Sequence, residues 1–278
     1  MPDIVNPFFS MIYVQLELFA LKKGYTILLG NSMSNPEIES RLLHLFLQKQ
    51  VDAFIFMGGR VNKINIPPED QAELFRVSQN VSIVMANGNE KLVWDRCYNI
   101  VTDEYQGVVD LTEHLMSLGH RDIVLVGGNR FITSAAVKRD AFRDTFHKHG
   151  VPLRKDWFIH SEFSPQGGED AMSILLDGRK IPTAIIGIND SVALGLLRQA
   201  QMRHIRVPED ISIAGFDDTY LSTLTYPQLT TVSQNYEAFG EAVIDTVTKV
   251  KTGVKTDKLV RIPTRMIVRE SCGEPSRS

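Results

Sequence analysis

Along this chain two hydrophobic periods take turns. From Phe8 to Lys23 the apolar residues Phe8, Phe9, Ile12, Leu16, Phe19 and Ala20 return at helical spacing, and Gly24 ends the run. Tyr25–Leu29 is a short β-prone run that predicts a buried strand. Asn35-Pro36-Glu37 marks a helix start with proline at its first position, and Ile38, Leu42, Leu45 and Phe46 form its apolar face. Strand Ala53–Met57, a shorter helical pattern over Glu69–Ser78, strand Val81–Met85, a strand-like Asn99–Val101 and helix Glu104–Leu118 follow. The second half repeats the alternation. Strand Ile123–Val126, helix Thr133–Lys148, strand-like Phe158–Ser161, helix Gln166–Leu176, strand Thr183–Gly187 and helix Ser191–Met202 come in turn. Strand Ile211–Ala214, helix Phe239–Val250 and an extended Leu259–Val268 broken by Pro263 complete the list.

Strand and helix taking turns in this way predicts βαβ units, parallel sheets and right-handed crossovers, an α/β fold. One sheet of about ten strands would be unusually wide, so two sheets are expected. The most informative stretch is Val207-Pro208-Glu209-Asp210-Ile211-Ser212-Ile213-Ala214-Gly215-Phe216-Asp217-Asp218. Pro208 stops the preceding helix, Ile211–Ala214 is a run buried on both faces, and Gly215 breaks it just before two carboxylates. Ligands of open parallel sheets bind beyond the carboxyl ends of the strands, so Asp217 and Asp218 stand at the lip of a candidate site. Acidic residues in such a position also serve as caps and turn formers, and spacing alone does not separate the two readings.

Composition narrows the classes. With 43% hydrophobic and 23% charged residues over 278, the chain can bury a large core. No apolar run approaches the roughly 18 residues of a membrane span, and Met1–Asn6 does not read as a secretory signal. Two distant cysteines, Cys97 and Cys272, argue for a reducing, cytoplasmic setting rather than a disulfide framework. A net charge of −3 lacks the basic excess of a DNA-binding surface. Catalytic signatures are absent: there is no GxSxG, HExxH, P-loop or CxxC, and Gly127-Gly128-Asn129 is not GxGxxG. The seven histidines are scattered, with His147 and His149 at a polar helix end and His120 in a turn, so neither enzyme, metal nor cofactor is expected.

The stretch VPEDISIAGFDD resembles the effector-binding core of LacI/GalR-type transcription regulators, which share their fold with periplasmic sugar-binding proteins. Leu118–Ile123 (LGHRDI), Pro182–Ile185 with Asn189-Asp190, and Pro227–Val232 are similar to the same family and occur in the same order. The resemblance runs from Asn6 to about Ser271. It implies two doubly wound parallel-sheet lobes of the type I periplasmic-binding-protein kind, joined by a hinge of three crossovers. The lobes expected are residues 1–118 with 236–262 and residues 119–235 with 263–278, the crossings lying near Leu118–Arg121, Val232–Asn235 and Pro263. A small effector, a sugar or a related molecule, is then expected between the lobes, contacted by Phe8, Phe9, Tyr105, Arg139, Phe163, Asn189 and Asp217. Arg139 lies in the segment Lys138–Phe142 that matches the family's arginine-bearing stretch.

Plain structural readings stand beside these roles. Phe8 and Phe9 suit a core, Arg139 suits a salt bridge with Asp140 or Asp144, and Asn189 and Asp103 suit helix caps. The resemblance further implies a homodimer whose effector shifts an open–closed equilibrium, with operator DNA held by a helix-turn-helix outside these residues. A solute-binding protein of a sugar transporter is the alternative the same fold allows.

Overall fold

The computed structural model describes residues 1–177 and 181–276. The chain runs α1 (Pro7–Lys22), α2 (Pro36–Gln48), β1 (Ala53–Met57), α3 (Pro68–Ser78), β2 (Ser82–Ala86), β3 (Cys97–Thr102), α4 (Glu104–Ser117), β4 (Ile123–Val126) and α5 (Thr133–Lys148). It continues through β5 (Phe158–Ile159), α6 (Pro165–Asp177), β6 (Ala184–Gly187), α7 (Asp190–Met202), β7 (Ser212–Ala214), β8 (Thr231–Ser233), α8 (Tyr236–Lys251), β9 (Leu259–Ile262) and β10 (Arg265–Ile267). The helix starts follow from capping chemistry. Asn6 accepts from the Phe8 amide and Asn35 from those of Glu37 and Ile38, with Pro7 and Pro36 where no amide is needed.

The chain divides into two compact units, Met1–Thr102 with Asn235–Pro263 and Asp103–Gln234 with Thr264–Ser278. In the first, the parallel sheet has the order β1-β2-β3-β9. Its pleat alternates between two cores. Ile55, Met57 and Val84 face α1 and α8, while Phe54, Phe56, Ile83 and Met85 face α2 and α3. In the second unit the parallel sheet is β5-β4-β6-β7, and β8 and β10 form a separate antiparallel pair. Val124, Ile185 and Ile213 point to one core, and Ile123, Leu125 and Ile186 to the other. Strands β4, β6 and β7 are wholly buried, which is why they read as short apolar runs.

Three sequence expectations are corrected. The passage expected near Leu118–Arg121 falls instead at Thr102–Asp103, because Val108, Leu111 and Leu115 of α4 pack into the second unit's core with Phe142 and Phe146 of α5. Residues 178–180 and 277–278 of the expected second span lie outside the described residues. Tyr25–Leu29 is not a buried strand; it pairs with no sheet strand, and Thr26, Leu28 and Leu29 are exposed. Leu259–Val268 is two strands in two sheets, parted at Pro263, and a strand at Thr231–Ser233 was not foreseen.

Candidate functional site

The second unit gathers its polar side chains where β4, β6 and β7 end. After β7 the chain turns through Gly215, where a Cβ would come within 2.5 Å of Asp190 Oδ1 and 2.7 Å of Leu229, so only glycine lets that carboxylate approach. Asp217 and Asp218 follow at φ 111° and 55°, conformations costly for residues with a side chain and held by their surroundings. Asp217 is 5% exposed. Its Oδ1 accepts from Gln234 Nε2 at 2.8 Å and lies 4.0 Å from Lys138 Nζ, and its amide donates to the Val232 carbonyl. Burial raises its pKa to about 6, against the pull of the Lys138 ammonium. Asp218 instead pairs outward with Arg269 at 2.6 Å and accepts from Ser222 Oγ.

Behind Asp217 lies Asp190, 1% exposed, which bolts three loops together. Its Oδ2 accepts from the Thr219 amide at 2.6 Å and the Thr219 hydroxyl at 3.0 Å, and its Oδ1 from the Thr231 hydroxyl at 2.6 Å. Burial, reinforced by repulsion from Asp217, pushes its pKa up to about 8. The neighbouring Asn189 caps α7, its Oδ1 accepting from the Val192 amide at 2.9 Å. Its other amide edge is left for further bonding.

At the centre of the group is Lys138, a residue the sequence reading passed over. Its ammonium donates to the Ile188 carbonyl at 3.1 Å, pairs with Glu104 at 3.3 Å and lies 3.8 Å from the centre of the Phe216 ring. Glu104 also accepts from Gln234 at 3.5 Å. Lys138, Glu104 and Gln234 are thus the partners of Asp217 that were missed. One signal was available: Ala135, Lys138, Ala141, Phe142 and Thr145 all lie on the buried stripe of α5, and a charge on an apolar stripe needs a partner. One cation among Glu104, Asp217 and Asp190 gives the cluster an excess of acceptors.

Other expected site residues are placed as follows. Arg139 points off the buried stripe and lies over the Phe158 ring at 5.4 Å. Asp140 and Asp144 pair with Arg143 at 2.9 Å each, and among the described residues no carboxylate is bonded to Arg139. Phe163 is half-buried against the core that holds Ile188, and its ring would lie 3.3 Å from a Cβ at Gly128. Tyr105, exposed at the start of α4, donates to Asp144 Oδ2 at 3.1 Å, and Asp103 caps that helix through the Gln106 amide. Phe8 and Phe9 belong to the first unit. Their rings meet edge to face at 5.1 Å, and Phe8 lies 6.2 Å from the Tyr236 ring. Asn189 and Asp217 are therefore brought to adjoining strand ends of one sheet, while Tyr105 and Arg139 lie on helices.

His120 is buried and not in reach of metal chemistry: its ring bonds Thr183 Oγ1, Ser212 Oγ and the Gly273 carbonyl, and burial lowers its pKa. Among the described residues no group of three His, Cys, Asp or Glu is placed to hold a metal ion. Nor is any helix long and apolar enough to cross a membrane.

Comparison with known proteins gives a family model, the periplasmic binding protein-like domain, matching residues 112–272. Catabolite control protein A of Priestia megaterium is 32% identical over 97% of this chain and 79% of its own length. The transcriptional repressor PurR of Glaesserella parasuis is 31% identical over 87% of this chain and 68% of its own. The crystal structure of a LacI family transcriptional regulator from Enterococcus faecium with bound ribose superposes with a TM-score of 0.82 at 25% identity, covering 99% of this chain and 97% of that one.

Proposed function

The chain belongs to the LacI/GalR family of transcriptional regulators, and on that premise we propose that it is the region of a repressor that senses a small polyhydroxylated effector, a sugar or a related molecule. The observation that carries this reading is the buried polar cluster at the ends of β6 and β7. Lys138 offers ammonium donors, Asp217 and Glu104 offer acceptors, and Asn189 offers both, so adjacent hydroxyls that donate and accept find partners for each. Arg139, Phe163 and Tyr105, in the same unit, would add a guanidinium and rings to such a ligand's surroundings. The ribose held by the Enterococcus faecium regulator supports a sugar as the effector class.

An effector can shift a conformational equilibrium only by its differential affinity for the two states. Operator DNA would be held by a helix-turn-helix outside these residues, and two heads meeting two half-sites call for a homodimer. Tyr226 at 98% exposure, with Leu224 and Tyr220 beside it in sequence, supports an apolar contact between copies. The test is a thermal-shift and calorimetric screen with ribose, other pentoses, hexoses, cellobiose and nucleobases. A ligand at 100 times its Kd stabilises by about 2.7 kcal/mol. Binding that Asp217→Ala and Lys138→Met both abolish supports the reading; binding unchanged in both variants overturns the site.

A further inference from the structure

The polar cluster of the second unit holds more buried negative charge than its cations balance. Glu104 and Asp217 are 8% and 5% exposed, and both meet one ammonium, Lys138 Nζ, at 3.3 Å and 4.0 Å. Among the described residues no other Lys, Arg or His nitrogen lies within 4.0 Å of either carboxylate. Asp218 has Arg269 for its own partner, and Asp190 has the donors of Thr219 and Thr231. Glu104 opens α4, whose amide end steadies a carboxylate without supplying a full charge. Lys138 therefore balances one of two carboxylates, and the second buried charge lacks the partner such charges need.

The free atoms show where that partner would bind. Only one oxygen of each carboxylate is engaged: Glu104 Oε1 faces Lys138 and Gln234, and Asp217 Oδ1 faces the same two side chains. Glu104 Oε2 and Asp217 Oδ2 have no hydrogen-bond partner among the described residues, and neither is sealed from the surface. Asn189, 5% exposed, spends its Oδ1 on the Val192 amide and leaves its Nδ2 unpartnered. Asn189 follows β6 and Asp217 follows β7, which are neighbours in the sheet. Two carboxylate oxygens and one amide donor are thus open at these strand ends.

Charge decides among ligands that could meet them. A hydroxyl donates to a carboxylate but leaves its charge unbalanced, whereas an ammonium supplies donor and charge together. A phosphate would bring further negative charge against oxygens that only accept. Burial, with a smaller repulsion from Glu104, holds the Asp217 pKa up at about 6 in spite of Lys138, and a second cation would draw it down. Arg139 does not serve as that cation. It stands one position, about 100° of helix turn, from Lys138 and lies 5.4 Å over the Phe158 ring.

Resting on the reading of this cluster as the effector site, we propose that the effector is an amine-bearing polyol, an amino sugar or amino alcohol. Its ammonium pairs with Glu104 Oε2 and Asp217 Oδ2, and one of its hydroxyls accepts from Asn189 Nδ2. Lys138 and the ligand then bring two cations to two carboxylates.

The test is calorimetric titration of the purified chain near neutral pH with matched triplets: glucosamine, glucose and glucose-6-phosphate; galactosamine, galactose and galactose-6-phosphate; serinol, glycerol and glycerol-3-phosphate. The amine is expected to bind about tenfold tighter than the neutral member of its triplet, and the phosphate about tenfold weaker or not at all. Glu104→Gln, which keeps the shape and removes the charge, should shrink the amine-to-neutral ratio about tenfold. The wild-type ratio tests the proposal even where that variant does not fold. A neutral sugar that binds as tightly as its amine, and is lost in Asp217→Ala, overturns the amine and leaves the sugar reading standing. A phosphate that binds tightest, and is lost in Arg139→Ala, overturns the charge assignment. Absence of binding by every amine at millimolar concentration overturns the proposal. Amine binding unchanged in both Glu104→Gln and Asp217→Ala overturns it together with the site.

Discussion

The two units are built from the same alternation of strand and helix, yet they finish it differently. In the second, β4, β6 and β7 are covered on both faces and their ends are tied by Asp190, Lys138 and His120. In the first, an equally β-prone stretch, Tyr25–Leu29, joins no sheet, and from Thr26 to Leu29 its backbone has no backbone partner among the described residues. The difference teaches that a strand is a property of its neighbours. Apolar β-branched composition makes a segment fit a pleated buried surface, but only adjoining backbone supplies the ladder.

The largest expected contrast is between Ile185→Ala in β6 and Leu28→Ala in the unpaired stretch. Ile185 is wholly buried, so its truncation should cost about 2–5 kcal/mol, whereas Leu28, half in solvent, should change stability by about 0.5 kcal/mol or less. Chemical denaturation measures both, and equal costs would erase the distinction between the units. Next comes Lys138→Met. Taking the cation from between Glu104 and Asp217 leaves buried carboxylates unpaired and should cost about 3 kcal/mol, partly restored in the double variant with Asp217→Asn.

A pH series sharpens the comparison further. The Asp190 pKa is raised in the fold, to about 8, so its contribution is fully present below the ordinary carboxylate pKa and is lost as pH rises from about 4 through 8. Wild type should therefore lose stability relative to Asp190→Asn across that window, and a flat difference would show that the carboxyl stays ionised. His120 acts in the opposite sense. Its pKa is lowered by burial, so its contribution is present above the ordinary histidine value and is lost as pH falls below it. The smallest effect expected is that of Tyr105→Phe. Its hydroxyl bonds Asp144 at the surface, and loss of that bond should leave the unfolding free energy within about 0.5 kcal/mol of wild type. A change in ligand affinity with no change in stability would place Tyr105 in the effector's reach.

Much of this was legible in the residues. Pro36 after Asn35 marks a helix start where no amide is needed, Gly24 and Gly150 mark helix ends through left-handed conformations that other residues adopt at a cost, and Gly215 marks the end of the Ile211–Ala214 strand. The place of Asp217 at a strand end was likewise legible. Its partners were not. Lys138 stands one position from Arg139, and only the rotation of α5 against the sheet decides which of the two turns inward. Nor could the sequence tell that Asp218, next to Asp217, would turn to Arg269.

By itself, the order of residues determined the α/β class, the position of almost every helix, and which strands lie buried on both faces. Those are set by local periodicity and by groups only a few residues apart. Tertiary structure alone decided that α4 joins the second unit, that Tyr25–Leu29 remains without a ladder, and that Glu104, Lys138, Asp217 and Gln234 meet. The physical reason is distance along the chain. Gln234 and Glu104 are 130 positions apart, and no periodicity spans the folded path that brings them into contact.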